Sequence, residues 1–204
     1  MKYKLIIAAA TAACLLYFSC KKQPVEQPPV INPETGIELF NLKDVAVRYG
    51  QSPILFDFDK DGFADLKFGV VLVGDPVLHQ DRREYRVSSG IHSKLAVHAV
   101  TENVPVMQDG DWIPIENFEG YNWWLVSSAI LVQRVEHADG AITWNGHWKE
   151  AVKKYLPFQL INENTNQRYA GWVELTVQLA EEKIILHRMA LSRVAEKRIR
   201  AGEW

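Results

Sequence analysis

Carboxylates crowd one short stretch of the chain. Asp57-Phe58-Asp59-Lys60-Asp61-Gly62-Phe63-Ala64-Asp65 places acidic side chains at loop positions one, three, five and nine, with glycine at position six, where the backbone must turn sharply. A hard divalent cation takes about six to eight oxygen ligands. The spacing therefore predicts a calcium loop whose ligands are Asp57, Asp59, Asp61, the Phe63 carbonyl and Asp65. Without a cation the like charges repel one another, and a plain solvated Asp-Gly turn would need fewer of them.

The loop is not a complete EF-hand. Position twelve is Phe68, where that motif carries a bidentate glutamate, and the flanking residues have strand rather than helix character. Affinity is expected in the range of extracellular modules, with a dissociation constant of about 0.1 to 1 mM. Other chemistry-bearing residues are dispersed. The six histidines (His79, His92, His98, His137, His147 and His187) lack the close spacing of helical metal motifs, and each reads as a surface or satisfied residue. Glu84, Glu102, Glu116, Glu119 and Glu174 could supply a glycosidase carboxylate pair, but sequence does not fix the separation that such chemistry requires. Seven tryptophans are the richer signal. Most are expected in the core, and of the neighbours Trp123 and Trp124 one is expected to face solvent, because adjacent strand residues point opposite ways. Exposed indoles stack on sugars or grip protein partners.

The elements that must position these residues are strands. Short β-branched and aromatic runs cover 54–58, 66–73, 95–100, 123–135, 155–161, 171–179 and 184–191, and turn residues separate them. Alternation is clearest where Val173, Leu175, Val177 and Leu179 share one face, with the Trp172 ring on the other. Polar breaks at 162–167 and 180–183 have hairpin length. Asn145-Gly146, between Trp144 and Trp148, predicts a further tight hairpin. Trp148, Val152 and Tyr155 fall at helical spacing and would suit one short helix at 148–155. The pattern as a whole predicts an all-β domain, an antiparallel β-sandwich or jelly roll.

An address precedes this domain. Lys2 and Lys4 are followed by an apolar or small-residue run over 5–18, then by Ser19-Cys20-Lys21-Lys22. The run is short for a bilayer span, which takes about 20 apolar residues, and it reads as a signal peptide. The small residue before Cys20 and the polar residues after it resemble a lipobox, in a loose form with Tyr17 where strict versions have leucine. That resemblance implies cleavage ahead of Cys20 and diacylglycerol on its sulfur. Two acyl chains suffice for stable anchoring at about 0.8 kcal/mol per buried methylene. Cys14 is a rival cysteine inside the apolar run, and cutting there would leave a greasy tail.

The expected organisation is a signal peptide over 1–19, a lipidated cysteine with a proline-rich tether over 20–35, and a β-sandwich domain over 36–204. The tether, with Pro24, Pro28, Pro29 and Pro33, would reach about 40 Å if extended at about 3.1 Å per residue. Lys21, in the second mature position, is not the aspartate that signals inner-membrane retention in many Gram-negative lipoproteins, so the outer membrane is the expected destination. Formal net charge is −2 and the pI about 6.3, with no concentrated basic face, so nucleic acid is not an expected partner.

Three stretches carry a second resemblance. The residues 57–68, then Tyr155-Leu156-Pro157-Phe158 with Tyr169-Ala170-Gly171-Trp172-Val173-Glu174-Leu175, then Ile199-Arg200-Ala201-Gly202, resemble a β-sandwich module of secreted bacterial surface proteins, of the kind found in PEP-CTERM-sorted proteins. Ala170 departs from the pattern, in which tyrosine runs straight into glycine. The resemblance implies a secreted β-rich fold and no established catalysis. The expected function is a non-enzymatic, lipid-anchored envelope module with a structural calcium ion and a glycan or protein ligand. The alternative is a carbohydrate-active enzyme or a glycan-binding accessory.

Overall fold

A computed structural model describes residues 28–204; Cys20, the leader and the first part of the tether lie outside the described residues. Within them the chain forms strands and no helix. One sheet has seven strands in the order β1 (Val30–Asn32), β2 (Ile37–Arg48), β13 (Lys183–Ser192), β12 (Arg168–Gln178), β11 (Lys154–Ile161), β6 (Ser93–His98) and β8 (Tyr121–Leu125). The other has five: β10 (Ile142–Asn145), β9 (Ser128–His137), β5 (Gln80–Ser89), β4 (Leu66–Asp75) and β3 (Ile54–Phe56). A two-stranded ribbon joins β7 (Trp112–Ile113) to β14 (Ile199–Arg200). Every pairing is antiparallel.

The two sheets face each other across one apolar layer, as the alternation predicts. Phe68, Tyr85, Val87, Leu131 and Val132 from the five-stranded sheet meet Leu95, Leu156, Phe158, Val173, Leu175 and Leu186 from the seven-stranded sheet. A second, smaller core covers the opposite face of the seven-stranded sheet: Tyr155, Ala170, Trp172 and Ala190 pack beneath Met107, Ile113, Ile115 and Ile199. The centre of β12 is consequently buried on both faces, with Val173 in one core and Trp172 in the other. Burial of both faces is unusual for an antiparallel strand, one face of which is commonly solvated. The segment 107–118 and the β7–β14 ribbon supply the cover here.

Several local expectations change. Asn145-Gly146 does not close a hairpin; β10 pairs back on β9 through the turn at 138–141, and Gly146 lies where a Cβ would strike the Leu131 and Val132 backbone. Its positive φ of 123° serves a close passage, not a two-residue turn. The run at 123–135 breaks at Val126 and Ser127, and the chain crosses there from β8 in one sheet to β9 in the other. No helix forms at 148–155. Trp148 is fully buried, Val152 is 64% exposed, and Ala151 and Lys153 are instead tied to β12 through Val177 N–H and Thr176 Oγ1. Within the expected tether, Val30–Asn32 pair with β2 as an edge strand.

Candidate metal centre

The aspartate loop connects β3 to β4 and is fixed from below. Phe58, at loop position two, turns into the main core, with its ring 5.2 Å from that of Phe158 and 5.9 Å from that of Phe56. Alternation then sends Asp57 and Asp59 outward. Asp65 N–H donates to the Phe56 carbonyl at 2.7 Å, closing the base of the loop. The Asp65 carbonyl accepts from Gly90 N–H at 2.8 Å and from the Ser93 hydroxyl, which joins the loop to the β5–β6 turn.

Asp57, Asp59 and Asp61 bring one carboxylate oxygen each to within 4.8 Å of one another, a grouping that could hold a metal ion. Local hydrogen bonds set their positions. Asp57 Oδ2 accepts from Gly62 N–H at 3.0 Å, Asp59 Oδ1 from Asp61 N–H at 3.2 Å, and Asp61 Oδ1 from Phe63 N–H at 2.7 Å. Lys60 and Gly62, with φ of 62° and 92°, bend the backbone around that point.

Asp65 is placed differently from the other three. Only 2% of it is exposed, and Oδ2 accepts from the buried Phe58 N–H at 2.7 Å. Its carboxylate thus secures the loop from the inside, while Asp57, Asp59 and Asp61 gather outside. Burial pushes the Asp65 pKa up to about 7, opposed by the Phe58 hydrogen bond and reinforced by the charges of Asp59, Asp61 and Asp57. Desolvation also raises Asp59, and the Asp61 and Asp57 charges add to it. Asp61 moves the other way, held down first by its bond from Phe63 N–H and then by His92.

His92 and Glu163 were not legible as site residues. His92 sits in the β5–β6 turn, and its carbonyl accepts from Ile161 N–H at 2.8 Å, so its backbone is stitched to the end of β11. Its Nδ1 lies 2.7 Å from Asp61 Oδ2, and its Nε2 contacts the Glu163 carboxylate. Glu163 belongs to the β11–β12 hairpin, whose turn Asn162 Oδ1 caps by accepting from the N–H groups of Asn164 and Thr165. Against a desolvation penalty, the Asp61 hydrogen bond and the Glu163 charge hold the His92 pKa above its ordinary value. The exposed Phe63 ring stands edge-on to His92 with centroids 6.0 Å apart. Beside this cluster lies an open cleft of about 220 Å³, lined by Asp59, Asn162, Tyr169 and Arg193 among others.

Three of the other candidate carboxylates are engaged elsewhere. Glu84 pairs with Arg86 and Glu174 with Arg188, on opposite outer faces of the sandwich, and Glu116 pairs with Arg168 at 2.7 Å. Of the tryptophan pair, Trp124 is 55% exposed on edge strand β8, while Trp123 packs against the smaller core and donates its indole N–H to the Glu116 carbonyl. Trp112 carries the guanidinium groups of Arg198 and Arg200, each 4.0 Å from its ring centroid. No helix among the described residues is long and apolar enough to cross a membrane. Comparison of the chain with protein-family models, curated proteins and solved structures gives no match, so its resemblance to secreted surface modules rests on the three stretches of sequence that carry it.

Proposed function

We propose that this chain is a lipid-anchored envelope protein, exported by its leader and acylated on Cys20, whose β-sandwich is a binding module carrying a structural calcium ion. The observation that carries the calcium reading is the convergence of Asp57, Asp59 and Asp61 at one exposed point, on a loop whose base Phe58 and Asp65 fix in the core. Oxygen-only donors favour a hard cation. Phe63 supplies its carbonyl, and Asp65 holds the base of the loop from beneath. With calcium at tenfold its dissociation constant, binding would add about 1.4 kcal/mol of stability.

Isothermal calorimetry on the full chain in detergent tests this. One calcium ion per chain should bind with a dissociation constant of about 0.1 to 1 mM. An absence of heat at millimolar calcium removes the ion from the account. Intact-mass analysis of the cell-derived protein tests the anchor: the chain should start at Cys20 and carry lipid mass there.

A second reading, a glycan-binding accessory lipoprotein, is favoured by Trp124, an exposed indole on edge strand β8. A glycan array probed with the full chain, with calcium and with chelator, separates the readings. Glycan capture that Trp124→Ala abolishes supports the second.

A further inference from the structure

We propose that Asp61, His92 and Glu163 form a separate site for a borderline divalent cation of the zinc class, fused to the aspartate loop through the shared Asp61 carboxylate. The three residues come from three different connections, β3–β4, β5–β6 and β11–β12, gathered at one end of the sandwich. Each offers one ligand atom, and these atoms lie within 4.8 Å of one another. A tetrahedral ion with bonds of about 2.0 to 2.1 Å needs ligand atoms about 3.3 Å apart. Nε2 and the Glu163 carboxylate are now in direct contact, and Glu163, on an exposed hairpin, has room to draw back and admit the ion.

The donor types separate this site from its neighbour. Asp57, Asp59 and Asp61 offer oxygen alone, which suits calcium, whereas the imidazole suits zinc, copper or nickel. The ring is also held in a ligating pose. With Asp61 Oδ2 2.7 Å from Nδ1, that nitrogen keeps its hydrogen and Nε2 is aimed at Glu163. This is the carboxylate–histidine arrangement that orients imidazole ligands towards a metal. An ion replacing the proton between Nε2 and Glu163 would gain both as ligands. Asp61 orients the ring through Nδ1 and links it to the aspartate loop, and water fills the remaining positions.

The competing account is an ion triad, a protonated imidazole held between two carboxylates with no metal. Zinc titration of the untagged full chain in detergent, against a competing fluorescent chelator, decides between them, and cobalt substitution gives a visible d–d spectrum as a second readout. We expect one zinc per chain, with affinity at least tenfold weaker in His92→Gln and in Glu163→Gln, and within twofold of the parent in Asp57→Asn. Because these side chains are at or near the surface, melting temperatures of the variants verify that each folds. The proposal is overturned by three results: a parent chain that binds no zinc, an affinity unchanged in His92→Gln, or an equal loss in Asp57→Asn, which would assign zinc to the aspartate loop. Asp57→Asn also keeps the two metals apart, since it should remove calcium binding and leave zinc in place.

Discussion

Burying the Asp65 carboxyl beneath three other aspartates sets two requirements against each other: Phe58 N–H needs an acceptor, and Asp57, Asp59 and Asp61 disfavour a fourth charge. An amide meets both. Asp65→Asn keeps an oxygen for Phe58, whereas Asp65→Ala leaves a buried donor unpaired at a cost of about 1 to 3 kcal/mol. In chelator, Asp65→Ala should therefore melt well below the parent and Asp65→Asn should not. The pH dependence follows from the direction of the shift. The folded pKa of about 7 lies above the unfolded carboxylate value near ~3.9. Between these values the folded state holds the extra proton, so the parent loses stability as pH rises from about 4 to about 7. Denaturant melts across that window should show a shallower decline in Asp65→Asn than in the parent.

Glycine at position 90 lets the β5–β6 turn lie directly on the aspartate loop. A Cβ there would overlap the Ala64 carbonyl, whereas Gly90 N–H now donates to the Asp65 carbonyl at 2.8 Å. Gly90→Ala should cost about 1 to 3 kcal/mol in a chemical melt and weaken calcium binding, because it displaces the loop's lower edge. Trp172→Ala, in the smaller core on the far face, should cost about 3 to 5 kcal/mol with the calcium dissociation constant unchanged within twofold. Strands with clean alternation could be read in advance: Val173, Leu175 and Val177 shared the expected face, and both polar breaks became hairpins. Strand β5 is not legible because Gln80-Asp81-Arg82-Arg83-Glu84 reads as polar loop; its outer side tolerates paired charges, such as Glu84 with Arg86, and Arg83 on the inner side reaches Glu182 at the end of the sandwich at 2.8 Å. Strand β2 escaped because Lys43 and Asp44, with φ of 55° and 53°, form a bulge that breaks its period. The aspartate loop was legible because its ligands are contiguous. His92 and Glu163 were not, because only the pairing of β11 with β6 and β12 brings their turns together.

At the scale of the whole molecule, the sandwich has two chemically different ends. One carries the acidic loop, His92 and the β11–β12 hairpin. The other carries paired charges, with Glu182 of the β12–β13 hairpin held by Arg83 and by Arg134 at 2.9 Å while its carbonyl accepts from the Tyr85 hydroxyl. Repulsion concentrated at one end and compensated charge at the other make the first end the place where a cation changes stability. The most direct measurement is the melting temperature of the full chain in detergent, in chelator and at calcium tenfold above its dissociation constant, beside Asp59→Asn. The parent should rise by about 3 to 6 °C, the shift that about 1.4 kcal/mol produces in a domain of this size, and Asp59→Asn should not respond. A parent that melts at the same temperature with and without calcium, or an Asp59→Asn variant that rises as far as the parent, would contradict a calcium ion in this loop.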